Sequence, residues 1–349
     1  MKLAVLNPGG SDPEQRFDDF AGSPDSSAHA PVNFHAFAAC AGGSFHRKDT
    51  TIPHDTNAVL LLLRGNLKAS RQALLELRSA GKMTAISLKE AGAHQVAEML
   101  SDSARMKLFR EICTRAGSAI AVTEDLVPLY HAAGAKRVEF IPTPYPVEDS
   151  RWDFSLEAAG NANPADGNSE RRGILIGTRE FRTPSRNHLA ALLAIRPVAE
   201  SMYQPVTVFN TDGWRGRRLL AQLRYPEELL QVIEGRLPYP KYLRTVARHR
   251  LVFQLDASAV PGQVAGDALM CRVPCIGGNG TLERLVFPDL CGHGRTTERL
   301  LDLAARLLDH PHDCVTEAGA ALERARKTVS FSQVAGQLSE FFGRLKTTA

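Results

Sequence analysis

Two stretches carry the residue types that binding a charged ligand requires. GTREFRTPSRNHL, from Gly177, sets Arg179, Arg182 and Arg186 between an apolar run and a helix-length segment. Three guanidiniums in such a loop fit a diphosphate, each charge-assisted contact contributing roughly 1.5–3 kcal/mol when shielded from water. A solvated basic loop fits the same residues. The second stretch, GQVAGDALMCRVPCIGGNG, runs from Gly262 to Gly280 and has a bare turn at each end of a short apolar segment. Glycine lets a ligand lie against the main chain, and a helix starting near Gln263 would offer free N–H groups and a positive dipole end. Asp267, one turn into that helix, has the chemistry to accept hydrogen bonds from a ribose, and equally that of a solvated helix residue. Gly278 and Asn279 lie in the second turn, which opens the next helix.

Positioning these loops requires strands that end where the loops begin. Short β-branched or leucine-rich runs alternate with amphipathic segments along most of the chain, which predicts a parallel sheet with helices on both faces. The clearest unit is strand AVLLLLR from Ala58, helix LKASRQALLELRSA stopped by Gly81, and strand MTAISL ending at Leu88. SAIAV and RVEFIP follow. A proline-rich PTPYPVED and a polar AAGNANPADGNSE then predict a linker over residues 148–172. Alternation restarts with GILIG, VTVFN, QVIEG, LVFQLD and VPCIGG. The expectation is an α/β chain of two Rossmann-like, doubly wound domains, residues 1–147 and 173–330, with a last helix over 331–349 returning to the first.

Composition bounds the partners. With 44% hydrophobic and 23% charged residues, the chain reads as globular, and 349 residues suffice for two cores. A net charge of +4 suits an anionic small ligand or a peripheral contact with an acidic membrane face, and is no nucleic-acid signature. The opening MKLAVLNPGGSDPE lacks a signal peptide's apolar length and AVLLLL is too short to span a bilayer, so a cytoplasmic location is expected. Six cysteines sit mostly in apolar segments, as reduced core residues do. Cys271, Cys275, Cys291 and His293 lack paired CxxC spacing, and no metal is expected.

AVPGQVAGDALMCRVP resembles the nucleotide-sugar glycosyltransferases of GT-B fold, particularly their retaining, family 4-like group. That group carries Glu-x-Phe-Gly, a second Glu five residues after the Gly, and a Gly-Val-Pro turn. Gly262, Asp267 and Val273-Pro274 keep the spacing. GTREFRTPSRNHL is similar to the group's diphosphate loop and FIPTPYP to its interdomain segment. The resemblance implies two domains facing a central cleft. It also implies a donor held through Arg179, Arg182, Arg186, Gly262, Gln263, Asp267, Gly278 and Asn279. In the first domain NPGGS is similar to the loop that meets donor phosphates through Gly9 and Gly10. His94 looks like the cleft histidine, with Lys89 and Glu90 beside it as acid, base or binding groups on the acceptor side. Ala259 stands where the first Glu would contact the donor sugar, and Pro261 where a backbone N–H could serve it.

The implied activity is transfer of a sugar from a nucleoside diphosphate to an acceptor hydroxyl, on a glycan, a lipid-linked substrate or a small molecule. Retention of configuration is implied, with no cofactor beyond the nucleotide-sugar co-substrate and His94, Glu90 and Asp267 in catalytic roles. Two alternatives share the fold: a sugar-nucleotide 2-epimerase, and a non-catalytic binding or scaffold protein. GWRGRRLL, with Trp214 beside Arg215, Arg217 and Arg218, would stack on a base, meet a partner, or simply open a solvated helix.

Overall fold

The computed structural model describes residues 1–25, 29–155, 171–177, 181 and 183–346. The chain divides into two compact units, residues 1–149 with 326–349, and residues 150–325.

In the first unit the strands are β1 (Leu3–Leu6), β2 (Gln15–Arg16), β3 (Ser44–His46), β4 (Ala58–Leu63), β5 (Met83–Leu88), β6 (Ser118–Ala121) and β7 (Arg137–Phe140). They line up as β2-β3-β1-β4-β5-β6-β7, parallel except for β2, which runs antiparallel to β3. Every residue of β4 is buried, which is why it reads as an unbroken apolar run. The helix Leu67–Ser79 starts where Asn66 accepts a hydrogen bond from Ala69 N at 3.3 Å, and it buries Leu67, Ala73, Leu74 and Leu77. Gly117, at φ +70°, ends the helix Ser103–Ala116. The strand order switches sides at β1: one branch runs out through β3, the other through β4 to β7.

The helix Phe331–Lys346 also belongs to this unit. It packs on the helix Phe34–Cys40 and β5, burying Val334, Leu338, Phe341 and Phe342. Its Arg344 reaches both carboxylate oxygens of Glu139 at 2.6 Å.

In the second unit β8 (Ile174–Ile176), β9 (Val206–Asn210), β10 (Leu230–Glu234), β11 (Leu251–Gln254) and β12 (Cys275–Gly277) form an all-parallel sheet in the order β10-β9-β8-β11-β12. This is the doubly wound arrangement, with its reversal between β8 and β11, where Leu251 pairs with Ile174. The expected linker begins differently. Residues 150–155 are packed into this unit: Trp152 is buried against Phe154 and Tyr239, Phe154 N donates to Met270 O at 3.0 Å, and Asp153 pairs with Arg272 at 3.1 Å. A polar, proline-flanked segment reads as linker, but its two aromatics bury enough apolar surface to dock it.

Phe341→Ala should lower the unfolding free energy by about 3–5 kcal/mol, because Phe341 is fully enclosed. Arg344→Ala should cost less than about 1 kcal/mol, since its side chain is half-exposed. Urea titrations of the two variants measure both.

Candidate functional site

The reversal between β8 and β11 places two loops side by side at the carboxyl end of the second sheet, where open parallel sheets hold ligands. The first starts at Gly177, where a Cβ would lie 2.5 Å from Val264 and so push the strand off the helix Gln263–Met270. Arg179 and Arg182 lie outside the described residues. Phe181 N donates to Asp212 Oδ2 at 2.8 Å, and its ring meets His188 edge-on at 4.3 Å. A short 3-10 turn, Pro184–Arg186, ends at Asn187, whose φ of +50° turns the chain into the helix His188–Ser201. Asn187 Nδ2 donates to Leu255 O at 2.8 Å, which ties this loop to the one after β11.

Arg186 faces that second loop. Its Nη1 donates to Asp256 Oδ2 at 2.5 Å, and the Asp256 side chain is only 3% exposed while that of Arg186 is 26% exposed. Asp256 Oδ1 accepts from Ser258 N at 2.8 Å. Arg186 is thus oriented by a buried carboxylate, with other N–H groups of its five still available to a ligand.

The glycine turns have an internal cause that the sequence alone does not reveal. Glu283, in the helix Thr281–Val286, is 1% exposed and points back between them. A Cβ at Gly262 or Gly280 would strike its Oε2, and one at Gly278 would lie 2.7 Å from the Gln254 amide that bonds it. Gly262, Gly277 and Gly278 also hold positive φ. Gln254 Nε2 donates to Glu283 Oε1 at 2.8 Å, whereas Oε2 has no partner among the described residues. Burial pushes the Glu283 carboxyl up to about 7, Asp256 adds to that, and the Gln254 hydrogen bond and Arg186 oppose it. The turns are therefore bare in the first place to house a carboxyl group. Asn279 joins them, its N donating to Asp256 O at 3.0 Å and its Oδ1 accepting from Ala259 N at 2.8 Å.

Arg186, Gly262, Gln263, Gly278 and Asn279 consequently gather at the ends of β8, β11 and β12, with Gln263 and Asn279 half-buried. Asp267 differs in placement. It is fully buried on the inner side of its helix and accepts from Tyr239 Oη at 2.5 Å. Beyond β9, Phe181, Asp212, Trp214, Arg215, Arg218 and Gln222 line a pocket of about 360 Å³, with the Arg215 guanidinium 5.2 Å from the centre of an exposed Trp214 ring.

In the first unit Gly9 and Gly10 follow β1, and Glu90 and His94 lie exposed just past β5. Lys89 pairs with Asp12 at 3.4 Å. His35 is a core residue: it stacks on Phe45 and His29 and bonds Pro13 O at 2.9 Å, and burial pushes it down to about 4. His46 is held between Ser44 and Thr51 hydroxyls. The residues sequence reasoning missed are Glu283, Gln254 and Asp256 in one unit and Asn7, Asp12 and Arg64 in the other. Asp12, two residues past a Gly-Gly turn, carried a readable signal; Glu283 did not. All six cysteines are free and buried, and among the described residues no group of His, Cys, Asp and Glu is placed to hold a metal. No helix among them is long and apolar enough to cross a membrane.

No family model and no curated protein matches the chain. Solved structures do. A sucrose-phosphate synthase from Thermosynechococcus elongatus aligns over 99% of both chains at 16% identity, with a TM-score of 0.63. The fold is GT-B. A trehalose-6-phosphate synthase, studied for glycosyltransfer with retention, aligns over 99% of both chains at 11% identity and TM-score 0.64. A glycosyltransferase from Rickettsia africae aligns over 83% of this chain and 77% of its own at 12% identity and TM-score 0.59. At such identities the likeness carries the order of strands and helices, while chemistry has to be argued from the side chains.

Two expectations follow for the site. Glu283 stays protonated in the folded state up to about pH 7 but ionises near 4.5 when unfolded, so its burial makes stability fall as pH rises from about 4.5 to 7 and level off above. Glu283→Gln should remove that fall, changing the wild-type-minus-variant difference by on the order of 3 kcal/mol between pH 4.5 and 8 in urea titrations. Arg186→Ala should cost roughly 2–4 kcal/mol by stranding buried Asp256, and Arg186→Ala with Asp256→Ala should cost less than the single change; a double-mutant cycle reads this directly.

Proposed function

We propose that the protein is a glycosyltransferase that moves a sugar from a nucleoside-diphosphate sugar to an acceptor hydroxyl, with retention of configuration and without a metal. What carries this is the placement of an arginine, a helix start and two glycine turns at the reversal point of the second sheet, in a chain whose fold matches glycosyltransferases end to end. Cleaving a sugar–phosphate bond builds negative charge on the departing diphosphate. A guanidinium already fixed by Asp256, and N–H groups at the start of the helix Gln263–Met270, would meet that charge without reorganising. Arg179 and Arg182, in the same loop of sequence, would add to it, and so supply the positive charge that a divalent cation supplies elsewhere.

Support for retention is that one neighbour is described as transferring with retention. On the acceptor side, Glu90 and His94 are exposed and within six residues of the end of β5, which suits proton transfer to or from a hydroxyl. Gly9 and Gly10 keep the role of meeting donor phosphates. Asp267, bonded to Tyr239, would act by orienting that phenol. The acceptor class stays open among a glycan, a lipid-linked substrate and a small molecule, and we place the activity in the cytoplasm, with peripheral membrane contact as one setting.

A second reading, donor binding without transfer, is favoured by one observation. Ala259 stands at the position of an acidic residue and is held in a left-handed conformation by Asn279, while Asp267 is turned inward. A calorimetric and thermal-shift screen of UDP-, GDP-, ADP- and dTDP-sugars separates the cases. One donor at a hundredfold its Kd should stabilise the fold by about 2.7 kcal/mol, and silence from all four would overturn both readings. Turnover with an acceptor supports transfer, whereas binding without turnover across an acceptor panel supports the second.

A further inference from the structure

Two exposed aromatic residues with opposite charge beside them stand outside the function proposed above. The first is Trp214, 60% exposed at the start of the helix Trp214–Gln222. Its place is fixed by Asn210: Nδ2 donates to Gly213 O at 2.9 Å, and a Cβ at Gly216 would lie 1.9 Å from Oδ1, so only glycine lets the helix start this close to the end of β9. Arg215, Arg217 and Arg218 all lie in the first two turns, and the helix has no acidic residue. That is the end where a cation opposes the helix dipole, so the arginines weaken the helix they stand on. Arg217 pairs with Glu234 at 3.3 Å, whereas Arg215 has only the Trp214 ring, and Arg218 has no hydrogen-bond or ion-pair partner among the described residues. Phe181 and Leu219 add apolar walls to the pocket of about 360 Å³, and its Asp212 already accepts from Phe181 N.

The second is Phe20, 57% exposed, in the first unit. Gly22 N donates to Asp19 O at 2.7 Å and closes a turn that buried Phe17 and Ala21 anchor on either side of it. Phe20 at the tip has φ +41°, a conformation that strains a bulky residue and that glycine or asparagine adopts with less cost. A strained backbone that holds an apolar ring out in water points to a contact made elsewhere. Asp18, Asp19 and Asp25 are exposed in the same segment, with Arg16 its one cation.

We propose that the chain self-associates, the Asp18–Asp25 segment of one copy docking on the Trp214 pocket of a second copy. Phe20 enters between the apolar walls, and Asp18 and Asp19 meet Arg215 and Arg218, the two cations that no carboxylate engages among the described residues. Complementarity selects this occupant: the pocket's rim is cationic, and the turn presents an aromatic ring with carboxylates before and after it. Aromatic and arginine side chains carry most of the binding energy at such contacts, while opposite charges fix the register. The two patches differ, so the contact is head-to-tail and closes as a pair when each copy both gives its turn and receives the other's. One turn in one pocket is a small interface, and the association is accordingly weak and reversible. Nothing in it depends on the glycosyl-transfer reading.

Sedimentation velocity of the full chain over roughly 1–100 μM tests the contact. The average mass should rise with concentration and fall back as salt is raised, since exposed charges are screened. Phe20→Asn, which suits the left-handed turn, and Trp214→Ala should each weaken association roughly tenfold or more, the scale of one aromatic anchor. Phe20→Asn keeps its pocket and Trp214→Ala keeps its turn, so the two variants should pair when mixed more strongly than either does alone, a gain that misfolding cannot mimic. A wild-type chain that stays monomeric throughout, association that either variant leaves unchanged, or a mixture no more associated than its parts overturns the proposal. So does a chain that stays monomeric and instead binds vesicles containing anionic phospholipid through Trp214, which would assign the surface to a membrane.

Discussion

A carboxyl group without access to water, set between two glycine turns, is the constraint on which the carboxyl edge of the second unit's sheet depends. Glu283 occupies the space that side chains at Gly262, Gly278 and Gly280 would need, and Gln254, at the end of β11, holds one of its oxygens. Each of those glycines costs the folded state entropy, roughly 0.5–1 kcal/mol relative to alanine in a regular element, so the arrangement persists only because the carboxyl fixes both turns at once. From there the connections run outward through backbone and side chain: Asn279 to Asp256 and Ala259, and Asp256 to Arg186. The cation at the sheet's reversal point is thereby positioned by Asp256, whose loop Asn279 ties to the second glycine turn.

The fold was legible in the sequence for a physical reason. Strands buried on both faces are apolar along most of their length, so AVLLLL, LVFQ and VTVFN announce themselves, and helices closed by Gly81 or Gly117 carry their stop in the residue that adopts positive φ. The glycine turns were equally visible. Their cause was not, because a glycine records only that a Cβ is excluded, never by what; here it is a glutamate up to 21 residues further along. Asp267 shows the same limit on a helix. Periodicity places it one turn past Gly262, but whether that face looks outward to a ribose or inward to Tyr239 is decided by a partner 28 residues upstream. Trp152 and Phe154 were hidden for the opposite reason, as two aromatics in a segment whose prolines and polar residues dominate any local average.

Both units solve one electrostatic problem in parallel ways. A cation near the end of a parallel sheet is useful to an anionic ligand only if it is held in place, since a free arginine or lysine side chain carries up to about 2 kcal/mol of rotamer entropy that binding would have to remove. In the second unit Asp256 holds Arg186; in the first Asp12 holds Lys89, and among the described residues no carboxylate engages the nearby Arg64. A carboxylate in that role both orders the cation and competes with the ligand. The difference in burial then sets the difference in behaviour. Asp256 is enclosed and cannot easily be displaced, so Arg186 keeps its partner and leaves only its remaining N–H groups uncommitted to that carboxylate. Asp12 is 30% exposed and can exchange Lys89 for water at small cost, so this ion pair is an exchangeable one. The first arrangement gives a rigid contact with fixed geometry; the second gives an exchangeable one.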